Sequence, residues 1–248
     1  NLHVYHNEFN QCGEFIFSLL HNELPTTYVT ESMALNGPMY VYGNVGYFDP
    51  SKPVGGGYTY IPAYAVVKNC KWFTGEPVKF FHNSWKFNKL GFSNNGDNDR
   101  QMHHYNNIGV YDHQNGYAFH SQTRFGDWGN DFDYDFSNKA WQSFVTSQGQ
   151  EANGIVASDP GWTDPANSDY RLQSDSVCVD AGAIIPGFTQ SYDGAAPDIG
   201  AYEGDKLVEG PPFYIMVPPS LESVTPVVVE QWDFSGATPE TGTNGTIV

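Results

Sequence analysis

Six consecutive residues, Arg100-Gln101-Met102-His103-His104-Tyr105, hold a guanidinium, two imidazoles and a phenol. Cleaving a uronic-acid chain by elimination needs a cation on the carboxylate, a base for the C5 proton and an acid for the leaving oxygen. Arg100 fits the first role, His103 or His104 the second, and Tyr105 the third. On a strand, the period of two puts His103 and Tyr105 on one face and His104 on the other. A solvated outer strand with one aromatic in the core would carry the same residues.

Just before it, Asn94-Asn95-Gly96-Asp97-Asn98-Asp99 concentrates side-chain oxygens. Asp97 and Asp99, alternating with Gly and Asn, suit Ca²⁺, which takes six to eight oxygen ligands. The loop lacks the closing Glu of an EF-hand, so a polar turn is the competing reading. Further on, Asp131, Asp133 and Asp135 would share a face of an extended strand. Residues two apart on a strand sit about 6.5–7 Å apart, within the spacing of a glycosidase's carboxylate pair. Tyr47, Tyr58, Tyr60, Trp72, Trp85 and Trp128 have flat faces that pack against the C–H faces of sugars. Lys71, Trp72, Trp85 and Tyr58 are the expected substrate-binding set, although core burial is the commoner fate of such rings. The triglycine Gly55-Gly56-Gly57 precedes no helix and no Lys-Ser/Thr, so it is not a phosphate cradle.

The elements expected to position these residues are strands. The 26 Gly and 16 Pro interrupt the chain, and long apolar stripes of helical period are missing. Short β-branched and aromatic runs predict strands at 2–5, 14–19, 39–42, 65–67, 78–81, 108–111 and 117–120. One short helix is expected from Ser137 to Val145. A phrase of strand, Asn, strand recurs around Asn7, Asn44, Asn69, Asn83 and Asn107. Asn tolerates the left-handed region, which predicts a sharp corner at each of these positions. Asn44 to Asn69 spans 25 residues and Asn83 to Asn107 spans 24, each fitting one coil of a stack. Asn69 to Asn83 is only 14, so those two belong to different corners. The expected fold is all-β, a right-handed parallel β-helix of stacked coils, with a β-sandwich bearing Asn turns as its rival.

Several phrases of residues 133–203 resemble the closing section of secreted bacterial right-handed parallel β-helix proteins. They include Phe132-Asp133-Tyr134, Gly149-Gln150-Glu151-Ala152-Asn153-Gly154-Ile155, Asp169-Tyr170-Arg171-Leu172 and Asp198-Ile199-Gly200-Ala201-Tyr202-Glu203. Val177-Cys178-Val179 stands where the usual form has Pro-Ala-Ile. Gly37 to Asn44 and Val78 to Asn83 are similar to that family's coils, so the resemblance covers most of residues 1–203. It implies an elongated fold and an extracellular or cell-surface bacterial setting. Members include polysaccharide lyases, glycosidases, epimerases and non-enzymatic surface proteins, so it implies no single activity. It also implies that Asp180 and Glu203 stabilise the closing segment rather than act in catalysis.

Composition limits the partners. With 11 basic and 28 acidic residues the net charge is −17, a field that repels nucleic-acid phosphates and anionic lipid heads. No stretch approaches the roughly 20 apolar residues of a membrane span. Aromatics at 16 % rule out a disordered acidic tail. Six basic residues lie between Lys68 and Arg100, which predicts a local basic face there. The 3 Cys have no metal or redox spacing. The opening Asn1-Leu2-His3-Val4-Tyr5-His6 reads as mid-strand, which suggests part of a longer protein. Residues 204–248 change character, with a Pro-rich linker and a strand at Val227–Phe234, which either packs along the helix or starts a truncated module. The expected partner is a polysaccharide or other glycan, cleaved or bound along an extended groove. A non-catalytic surface, adhesive or filament protein that self-associates is the other expectation.

Overall fold

The computed structural model describes residues 2–10, 15–18, 39–48, 65–68, 78–87, 90–93, 102–112, 117–119, 130–189 and 191–211. All lie within the compact unit Asn1–Pro211. Of the linker and strand expected in 204–248, residues 212–248 fall outside them.

The chain visits three sheets in a fixed order. The first sheet takes β1 (Leu2–Tyr5), β4 (Met39–Tyr42), β7 (Val78–Phe81), β10 (Met102–Tyr105) and β13 (Asp131–Asp133). The second takes β2 (Glu8–Asn10), β5 (Val45–Tyr47), β8 (Ser84–Phe87), β11 (Ile108–Tyr111), β14 (Phe136–Ser137) and β15 (Ile155–Val156). The third takes β3 (Phe15–Ser18), β6 (Ala65–Lys68), β9 (Leu90–Ser93) and β12 (Tyr117–Phe119). Every pairing in these three sheets is parallel. The fold is therefore all-β with parallel sheets and almost no helix. Among the described residues, helical structure is limited to α1 (Ser143–Thr146) and a 3₁₀ turn at Pro165–Asn167. The helix expected from Ser137 is shorter, because Ser137 still pairs with Gly109 of β11.

Asn44, Asn83 and Asn107 lie at the corners between the first and second sheets, as expected, but the turning residue is the one before each. His6, Gly43, His82, Asn106 and Tyr134 have φ between 51° and 60°. This aims the following side chain inward and stacks it on its counterpart. Asn7 Nδ2 donates to Asn44 Oδ1, Asn44 Nδ2 to Asn83 Oδ1, and Asn83 Nδ2 to Asn107 Oδ1, at 2.9, 2.9 and 2.8 Å. Each Oδ1 also accepts the backbone N–H of the preceding rung. Each Nδ2 also donates to the carbonyl two residues back. The amides thus satisfy corner groups that burial would otherwise orphan. The rung after Asn44 is Asn83, 39 residues on. The expected 25-residue step to Asn69 is therefore not a corner-to-corner repeat, and Asn69 lies outside the described residues, after the third-sheet strand β6.

Counting back from each rung gives the facing of the first sheet. Three residues before it stand Val4, Val41, Phe80, His104 and Phe132, in mutual register. Val41, Phe80 and Phe132 are buried in a core with Met39, Val78, Trp85, Phe87, Met102 and Tyr111. The second sheet is covered on both faces, and all four residues of β11 are buried. Its outer face packs Val45, Ile108 and Phe136 against Trp162, Tyr170, Cys178, Ile199 and Ala201 of the closing segment. β16 (Trp162–Asp164) and β17 (Asp169–Leu172) form an antiparallel pair in that segment, as do β18 (Tyr202–Glu203) and β19 (Lys206–Leu207).

Candidate functional site

Four residues before the rungs stand His3, Tyr40, Lys79, His103 and Asp131. They form one line across the outer face of the first sheet, about 4.8 Å between neighbours. The first four are half-exposed and Asp131 is exposed. Lys79 Nζ sits over the Tyr40 ring, 5.2 Å from its centroid, and the His3 and Tyr40 rings lie 4.8 Å apart. An ammonium on an aromatic face is held without losing its charge.

Two residues before the rungs stand Tyr5, Tyr42, Phe81, Tyr105 and Asp133, a second outward line. Ile185 and Phe188 of the closing segment pack on its aromatic members. At its end Tyr105 donates to Asp131 Oδ2 at 2.5 Å, joining the two lines. Burial first, then the hydrogen bond to Asp131, pushes the Tyr105 phenol far above its usual range. Tyr105 therefore keeps its proton near neutral pH and can only donate it. Asp133 is occupied otherwise, accepting from Asn153 N and Nδ2 at 2.7 and 2.8 Å and from Tyr134 N.

The inner line contains a different cluster. His104 is buried and its Nδ1 contacts Asp135 Oδ2. Asp135 takes the place of a fifth amide rung, its Oδ1 accepting from Asn107 N at 2.7 Å and Nδ2 at 3.0 Å. Glu151 follows as a sixth, its Oε2 accepting the Asp135 N–H at 3.3 Å. Burial, and then the nearby Asp135 carboxylate, push the Glu151 carboxyl well above the usual range. The adjoining cavity, lined by Trp85, His104, Tyr111, Asp135 and Trp141, has about 10 Å³. That is room for about one water and far less than a sugar requires, so the outer lines are the candidate site.

His103 and Tyr105 face outward and His104 inward, so the two imidazoles do not converge. Trp85, expected as a sugar platform, is corrected to a core residue: it is 1 % exposed among Phe87, Val41 and Phe80. Asp135 does not share a face with Asp131 and Asp133, because the left-handed Tyr134 turns the chain between them. Arg100, Lys71, Trp72 and Tyr58 lie outside the described residues. So do Asp97 and Asp99, the expected Ca²⁺ ligands. Among the described residues, no group of three or more His, Cys, Asp or Glu is placed to hold a metal. No helix there is long and apolar enough to cross a membrane.

Asp180 and Glu203 accept backbone N–H groups. Asp180 Oδ1 accepts from Ala195 at 2.7 Å, and the Glu203 oxygens accept from Asp193 and Asp198 at 3.0 and 2.9 Å. Tyr40, absent from the sequence-based candidates, owes its place to strand register. Lys79 entered the sequence reading as one of the six clustered basic residues, and Asp131 as a member of a carboxylate pair on one strand face. The column four residues before each rung would have found all three. Compared with known proteins, the chain matches no family model, no curated protein and no solved structure.

Proposed function

We propose that this chain is a right-handed parallel β-helix that holds an extended glycan along the outer face of its first sheet. Parallel strands joined by crossovers are right-handed in about 98 % of cases, which supports that hand here. The observation that carries the functional reading is the outward line of His3, Tyr40, Lys79, His103 and Asp131. An aromatic face, an ammonium, an imidazole and a carboxylate follow one another at a fixed spacing, as a polymer of repeating sugars would require. Eliminative cleavage is the activity these groups serve best. Lys79 supplies the cation and His103 the base, and Tyr105 serves as the acid once the leaving oxygen displaces Asp131 as its hydrogen-bond partner. Hydrolysis by an Asp131/Asp133 pair is less well supported, because Asp133 is engaged by Asn153. An extracellular setting belongs to the same reading and rests on the resemblance of the closing segment.

The test is to incubate the protein with a panel of plant, algal and bacterial polysaccharides, following unsaturated ends by absorbance at 235 nm. Retention on the same polymers is measured in parallel. Cleavage lowered more than about tenfold by His103→Ala and Lys79→Gln supports the enzyme. Retention without cleavage supports a binding protein. Neither outcome leaves the rod-like structural reading, which the continuous amide ladder favours.

A further inference from the structure

The closing segment meets the column of left-handed corner residues through polar contacts at His6, His82 and Asn106. Asn106 Oδ1 accepts the Ala183 N–H and its Nδ2 donates to the Ala183 carbonyl, both at 2.8 Å. The same Nδ2 donates to His82 Nε2 at 2.9 Å, and His82 Nδ1 donates to the Gly200 carbonyl at 3.2 Å. His82 is fully buried. Two residues beyond Ala183, Ile185 begins the turn that lays Phe188 on the aromatic line Tyr5, Tyr42, Phe81 and Tyr105. Segment 183–189 is thus a strap over that aromatic line and the neighbouring Tyr40, tied through Asn106 to one imidazole.

We propose that His82 is a proton-operated latch: protonation releases the strap from Asn106 and uncovers the aromatic line beneath it. The tie exists only while His82 Nε2 is an acceptor. A proton there sets an N–H against the Asn106 amide N–H₂. Turning the Asn106 amide over would satisfy the imidazolium but would face N–H₂ to the Ala183 N–H and oxygen to the Ala183 carbonyl, breaking both strap bonds. Neutral groups surround the ring: the Asn106 amide and the carbonyls of Gly200 and Asp198. The carboxyls of the closing segment are engaged elsewhere. Asp198 accepts from Asp180 N and Gly204 N, Asp180 from Ala195 N, and Glu203 from Asp193 N and Asp198 N. Burial accordingly pulls the His82 pKa down to about 4.

The experiment is amide hydrogen exchange of the whole chain between pH 7 and 3.5, corrected for intrinsic rates, beside an NMR titration of His82. The Ala183 and Gly200 amides are expected to lose at least tenfold protection with the His82 midpoint, while Val41 and Ile108 stay protected. His82→Asn suits the left-handed backbone and does not titrate. In it, the loss at that midpoint should vanish; a transition that persists belongs to Asp180, Asp198 or Glu203 and overturns the latch. Protection of Ala183 that survives His82 protonation overturns it, and so does loss of all amides together, since the strap would then be no separate element. None of these outcomes depends on whether a glycan binds.

Discussion

Four rungs of the corner ladder are amides, while the fifth and sixth are a carboxylate and a carboxyl. Between Asn7 and Asn107 each rung donates and accepts in the same pattern, and no proton can be gained or lost there near neutral pH. At Asp135 the pattern changes. Its carboxylate accepts from Asn107 and contacts His104, and the Glu151 carboxyl beside it is held toward its protonated form. The difference teaches that one geometry can be insulated from pH along most of its length and linked to pH at one end.

The sharpest way to break the comparison is to remove a middle rung. Asn83→Leu is expected to cost about 4 kcal/mol or more, because it orphans several buried groups at about 1–3 kcal/mol each. Those groups are Asn44 N and the carbonyls of Val41 and Phe81; Asn44 Nδ2 keeps its bonds to the Val4 and Tyr42 carbonyls. Asn7→Leu, at an exposed rung, should cost less than about 1 kcal/mol. Urea unfolding of both variants measures the contrast, and equal losses would show that the ladder does not stabilise through burial.

His82 and Glu151 should bend the stability profile in opposite directions. His82 has its folded pKa depressed, so the unfolded chain binds the extra proton as pH falls from about 6.5 toward 4. Stability should drop by about 3 kcal/mol across that window. His82→Asn should flatten this limb. Glu151 has its folded pKa raised, so its contribution is complete below the unfolded value and is lost as pH climbs through the folded one. Each unit of elevation is worth about 1.4 kcal/mol. Glu151→Gln keeps a donor for Asp135 and an acceptor for its N–H, so it should remove this limb and gain stability relative to wild type as pH rises above the ordinary carboxyl range. Thermal unfolding across pH reads both limbs. An unchanged slope on that limb in Glu151→Gln would place the linked proton elsewhere.

Much of this fold was legible in the sequence, because β-branched and aromatic runs between breakers mark strands well. β4, β7 and β11 begin and end where the sequence predicts. β10 and β13 were harder: His and Asp occupy more than half of their positions, and the inward places are filled by Met102, His104 and Phe132. The corner Asn residues were visible, but their role was not. An Asn suits a left-handed turn and a side-chain ladder equally, and only register shows the preceding residue turning. Reading Asp135 as a rung would have aligned all five strands of the first sheet and exposed the line containing Tyr40, Lys79 and Asp131. Trp85 was misread because sequence gives no facing until that register is known.

The smallest stability effect is expected on that outer line, and it tests whether inner and outer columns divide the labour. Lys79 is half-exposed, and its main described contact is the Tyr40 ring. A cation–π contact at such a site contributes about 0.5 kcal/mol, and a surface substitution usually moves stability by no more than about that. Lys79→Gln removes the charge while keeping most of the side chain, so the urea midpoint should stay near wild type. Glycan retention should nevertheless fall at least tenfold if the line is a binding surface, because no other residue in it is a permanent cation. A matching loss in unfolding free energy would return Lys79 to the scaffold. An unchanged midpoint with unchanged retention would keep the division of the columns but remove Lys79 from the binding surface.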